Sequence, residues 1–136
     1  MTPAIFAVFV LWIVQSTLAS CFRYFSGGSA VLGKHLWDAL GARDTPPPMP
    51  VLGARAGRAF QNLSEALPVF LGLALLLELH GAPAGMGRTG AWVFVGARVL
   101  YVPAYLSAIP GLRSSVWLAG HAGLAMMAVA VWAAVS

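Results

Sequence analysis

Arg55-Ala-Gly-Arg58-Ala-Phe-Gln-Asn62-Leu-Ser-Glu65-Ala-Leu-Pro68-Val-Phe70 stands at the mouth of a long hydrophobic run, and its reading decides the fold. Arg58, Asn62 and Glu65 fall at i, i+4 and i+7, with Arg55 one turn upstream. At about 3.6 residues per turn a helix projects all four from one stripe. A formal charge inside a bilayer costs roughly 2.5–3.5 kcal/mol at a helix centre, even on the mildest scales. Glu65 therefore needs a partner, and the rest of the chain is read for what supplies one.

The surroundings are those of a membrane protein. The 136 residues are 60% hydrophobic and only 9% charged, against about 25% charged for a soluble domain. The length suits a single domain, 1–136. The net charge of +4 is dispersed, mostly at segment ends, with no basic run interleaved with aromatics. That excludes a nucleic-acid surface and fits the positive flanks of membrane helices. Cys21 is the one cysteine, so no disulfide closes within the chain. It follows Leu18-Ala19-Ser20, a pattern like a lipoprotein cleavage site, but no Lys or Arg precedes it as a signal peptide requires. The expectation is a small buried hydrophobe.

Four spans are expected, at about 4–22, 59–79, 89–109 and 114–135, each long enough at ~1.5 Å per residue to cross the ~30 Å core. In the first, Gln15, Ser16 and Thr17 are polar and should face other helices. A long connection, 23–58, follows. Leu32, Leu36, Trp37 and Leu40 beside Lys34, His35 and Asp38 suit a short interfacial helix. Pro46-Pro47-Pro48 and Pro50 suit an extended strap. Short turns join the later spans, so the fold expected is an all-α, four-transmembrane-helix up-down bundle. Arg23, Lys34, Arg43, Arg55, Arg58 and Arg113 lie in or beside the first and third loops, and Arg88 alone lies in the second. This puts the first and third loops in the cytoplasm.

The polar residues then meet at one depth. Counted from the cytoplasmic ends at ~1.5 Å per residue, Glu65 lies about 10 Å in, Tyr105 about 6 Å, Tyr101 about 12 Å and Arg98 about 16 Å. Arg98, Tyr101 and Tyr105 share a face at i, i+3 and i+7. Glu65 is expected to pair with Arg98 or to bond to Tyr101. Arg55, Arg58 and Arg113 cluster at the same mouth, so four arginines converge on one glutamate. Such an excess suits an anionic ligand with a free amine: carboxylates to the arginines, amine to Glu65, polar backbone to Asn62. A structural network that fixes helix register is the plain alternative for Glu65 and Arg98.

Arg55-x-x-Arg58-Ala-x-x-Asn62-x-x-Glu65-x-x-Pro68-x-Phe70 resembles the signature of the MAPEG family, membrane-associated proteins in eicosanoid and glutathione metabolism. Ala97-Arg98-Val-Leu-Tyr101-Val-Pro-Ala-Tyr105 resembles its third-helix motif, and the Tyr101-Val-Pro103-x-Tyr105 form looks like a bacterial subgroup. The chain departs from the pattern at Ala54, where glutathione-using members commonly carry an acid, and at Ala66, where eicosanoid-type members often carry tyrosine. The resemblance implies a homotrimer in a bacterial inner membrane, with glutathione as co-substrate between subunits. Arg55, Arg58, Asn62, Glu65, Arg98, Tyr101 and Tyr105 would hold the tripeptide, and Arg113 would stabilise its thiolate. The activity implied is that of a transferase or peroxidase acting on lipophilic electrophiles or lipid peroxides. The other class is a non-catalytic member of the fold, a subunit or scaffold beside a membrane-protein partner. His121 is expected to be a hydrogen-bonded packing residue. With His35 and His80 it has no metal spacing, so no metal site is expected.

Overall fold

The computed structural model describes residues 1–25, 40–41, 48–82 and 84–136. Four helices account for most of them: α1 (Thr2–Phe25), α2 (Val51–Leu79), α3 (Met86–Ser107) and α4 (Leu112–Val135). Among the described residues there is no strand, and the fold is an all-α four-helix bundle. Three helices, α1, α2 and α4, are long and apolar enough to cross a membrane. The fourth, α3, carries Arg88 and Arg98 within a shorter and less apolar sequence. The interfacial helix expected around Trp37 and most of the proline strap lie outside the described residues.

Two helix boundaries differ from expectation. The first helix runs to Phe25, so Arg23 sits in its last turn, where a cation faces the negative end of the helix dipole. The second begins at Val51, eight residues before the expected entry at 59. Pro50 is extended (φ −66°, ψ 157°), and its ring lacks the N–H that a continuing helix needs. Nothing between Val51 and Arg58 breaks a helix. Gly53 and Gly57 lie against Ala19 of α1, which lets the first turns of α2 pack closely there. Arg55 and Arg58 are therefore helical, rising from the polar end of α2.

The turn after α2 is closed by backbone bonds. Gly81 adopts φ 66°, its N–H bonds to Glu78 O at 3.1 Å, and Ala82 N–H reaches Leu77 O at 2.9 Å. This paired pattern satisfies the terminal carbonyls, and glycine takes the left-handed position at no steric cost. Pro110 and Gly111 (φ 82°) separate α3 from α4.

The core lies where Val8, Leu63, Phe70, Leu77, Phe94 and Met127 meet. Phe70 and Phe94 stack with centroids 4.8 Å apart. The closest approach joins α3 to α4: a Cβ added at Gly90 would stand 2.6 Å from Gly123 O, and one at Gly123 would stand 2.6 Å from Gly90 O. Small residues allow membrane helices this backbone contact.

On α1 the expectations divide. Gln15 is buried, at 2% exposure, and its Nε2 reaches Arg98 O at 3.5 Å. Ser16 and Thr17 instead satisfy their hydroxyls on Ile13 O and Val14 O of their own helix, and Thr17 is exposed. Cys21 is exposed too, off the stripe of Ala4, Val8 and Gln15 that faces the bundle. It lines a shallow apolar hollow with Leu18, Phe22 and Phe25.

Candidate functional site

A trough follows the polar end of the bundle down between α2 and α4. It consists of three adjoining cavities of about 350, 480 and 490 Å³. Arg55, Arg58, Tyr105, Arg113 and Ser114 line the first. Asn62, Tyr101, Arg113, Ser114 and Trp117 line the second. Asn62, Glu65, Trp117, His121 and the apolar Val69 and Leu124 line the third. Shared residues connect each cavity to the next: Arg113 and Ser114 at the upper join, Asn62 and Trp117 at the lower. Seven of the eight residues picked out in the sequence thus face one continuous space.

The mouth is organised on Tyr105. Arg58 Nε donates to its hydroxyl at 3.2 Å. The guanidinium carbons of Arg58 and Arg113 lie 5.7 and 5.4 Å from its ring centroid, within the range of cation–π attraction. Tyr101 meets Tyr105 edge to face at 5.6 Å. Arg55 Nη1 donates to Leu106 O at 3.0 Å, tying α2 to one of the terminal carbonyls of α3. Among the described residues no carboxylate pairs with Arg55, Arg58, Arg98 or Arg113; the ion pair found joins the Met1 amino group to Glu78 at 2.7 Å. Among the described residues, the positive charge at the mouth has no carboxylate partner.

The expected Glu65–Arg98 pair does not form, nor does a bond from Glu65 to Tyr101. Glu65 is exposed to the trough and accepts from Gln61 Nε2 at 3.0 Å. Arg98 Nη1 donates to Asn62 Oδ1 at 2.6 Å instead. The reason is the rotation of α2. Its Asn62 face meets α3, whereas Glu65, nearly one turn on, lies on the side that opens towards α4. Arg98 is 1% exposed and lies behind the trough wall. The aromatic faces of Phe94 and Tyr101 cover it at 4.9 and 5.6 Å.

Trp117 forms part of the trough wall. His121 stacks on it at 3.7 Å between centroids and bonds through Nδ1 to Trp117 O at 3.0 Å. The packing bond expected of His121 is present, and the residue lines the deep cavity as well. Arg113, Trp117 and His121 follow one another at i+4 along α4, a spacing that marks one face. That spacing was the signal in the sequence. Among the described residues no three of His, Cys, Asp and Glu come together as a metal would require.

The MAPEG family model matches residues 1–133. The chain belongs to the MAPEG family. No curated protein and no solved structure matches it. Within this MAPEG chain, the two motifs noted in the sequence converge: the α2 stripe and Tyr101 and Tyr105 of the α3 stripe line the arginine-rich trough, with Arg98 packed behind it.

Proposed function

We propose that this MAPEG protein is a membrane glutathione transferase or peroxidase whose tripeptide site is the α2–α4 trough. The observation that carries the reading is an arginine mouth with no carboxylate partner among the described residues, adjoining a pocket that holds one glutamate and then apolar wall. Glutathione offers two carboxylates, an amine and a thiol, a set that suits this order of groups. Arg55 and Arg58 take carboxylate, Glu65 takes the amine, and Tyr101 and Tyr105 flank the peptide. The resemblance gave Arg98 a direct contact with the tripeptide. Its burial favours a role one layer back, through Asn62.

Arg113 lies beside both the mouth and the second cavity, a position suited to the sulfur. A thiol of pKa about 8.5 is mostly protonated at neutral pH, and an adjacent cation favours the thiolate. The thiolate attacks an electrophilic carbon, forming the S–C bond as the leaving group departs with its electron pair. With a lipid hydroperoxide it attacks the terminal oxygen, forming the S–O bond as the O–O bond breaks and the lipid alkoxide leaves to be protonated; a second glutathione then converts the sulfenic acid to disulfide and water. The lipophilic substrate enters from the bilayer along the Val69 and Leu124 side. The assembly consistent with this scheme is a homotrimer in a bacterial inner membrane, with α3 as the fourth span and the first and third loops cytoplasmic. The test is Arg113→Ala assayed with glutathione and a lipophilic electrophile. Turnover should be lost while glutathione affinity is retained; unchanged turnover removes Arg113 from the mechanism.

A further inference from the structure

Asn62 sits where the two deeper cavities meet and lines both. Its side chain has an acceptor end and a donor end, and what lies against it decides which end faces the ligand. An arginine has N–H donors and no acceptor. Arg98 Nη1 is 2.6 Å from Asn62 Oδ1, so the amide oxygen must be turned to the guanidinium. Arg98 is buried and lines none of the three cavities. The oxygen therefore faces the bundle interior, and the NH₂ group is the end left for the trough.

The guanidinium is in turn held in place. Phe94 and Tyr101 cover it, and a Cβ added at Gly120 of α4 would already stand 3.5 Å from Nη2. Its Nε and Nη2 are buried without an acceptor, so losing Asn62 Oδ1 would leave a third unmet site on a buried cation. Unmet buried donors are costly, more so when charged. Asn62 cannot turn over without setting its own NH₂ against that cation.

We propose that Arg98 is a positioning residue that fixes Asn62 as a hydrogen-bond donor. The middle of the trough then accepts a ligand presenting a carboxylate or carbonyl oxygen there, while Glu65, nearly one turn deeper, takes the ligand's N–H. This rests on the glutathione reading above and states which polarity of tripeptide backbone the site selects.

The test is calorimetric titration of glutathione into detergent-solubilised wild type, Asn62→Asp and Asn62→Ala, with the thermal midpoint of each recorded. Aspartate keeps the shape, exchanges the NH₂ for a second acceptor and gives Arg98 a counter-charge. If Asn62 serves only to satisfy Arg98, Asp outperforms Ala in both stability and binding. The donor assignment expects Asp to hold the wild-type midpoint or exceed it, yet to bind roughly tenfold or more weakly than wild type and more weakly than Ala. A second pair works without that variant, should it fail to fold. Arg98→Met, of similar length and lacking donors, weakens binding several-fold, and Arg98→Lys recovers part of the loss. Asp binding at least as tightly as Ala, or Met as tightly as wild type, overturns the assignment. Absence of saturable binding to wild type overturns the glutathione reading itself, and this assignment with it.

Discussion

Arg58 donates through Nε to the Tyr105 hydroxyl at 3.2 Å, across the gap between α2 and α3. The same ring lies under the Arg113 guanidinium, so one tyrosine keeps two like charges at the mouth of the trough. Tyr105→Phe keeps the ring and deletes the acceptor. The expected outcome is a KM for glutathione raised a few-fold with kcat little changed, since the lost bond orients a binding cation. Tyr105→Ala removes both supports and should raise KM further. Equal effects of the two variants would show that the hydroxyl, not the ring, does all the positioning.

Charge at an exposed mouth is screened by salt. Arg58 and Arg113 are exposed, and the Debye length falls from about 10 Å at 0.1 M to about 3 Å at 1 M ionic strength. Glutathione affinity should therefore weaken steadily over that range in titrations at fixed pH. Salt-independent affinity would place the ligand's carboxylates away from these arginines.

The α3–α4 contact has no room to spare. In Gly123→Ala the new Cβ would stand 2.6 Å from Gly90 O and 2.8 Å from Phe94 N. Backbone atoms cannot yield as a flexible side chain does, so overpacking should cost about 1–3 kcal/mol. A lowered thermal midpoint in detergent is expected. At Ala108 the sign reverses. Its φ of 57° is strained for a residue with a Cβ by roughly 1–2 kcal/mol. Ala108→Gly should raise the midpoint, provided the turn is retained.

How much of this was legible in the sequence follows from what each feature depends on. The four helices were readable because apolar runs and the Pro110-Gly111 break are local signals. The start of α2 was not. The apolar run begins at 59, after Arg55 and Arg58, whereas the helix boundary is set by Pro50 and by the packing of Gly53 and Gly57 on α1. The stripes of Arg58, Asn62 and Glu65 and of Arg98, Tyr101 and Tyr105 were readable from helical periodicity. Which member of one stripe touches which member of the other was not. That choice depends on how far α2 is rotated about its axis, a matter of core packing around Leu63 and Phe70. Opposite charge alone therefore pointed to Glu65 for Arg98, and the geometry selected Asn62. Cys21 shows the same limit, since an apolar residue on a membrane helix can face lipid as readily as core.

The central claim is that the arginine mouth is a glutathione site, and calorimetric titration of glutathione into purified wild type and Arg58→Ala tests it most directly. The account predicts saturable binding to wild type that is lost, or weakened by about tenfold or more, in the variant. Well-folded wild type that takes up no glutathione, or a variant that binds as tightly as wild type, would contradict it.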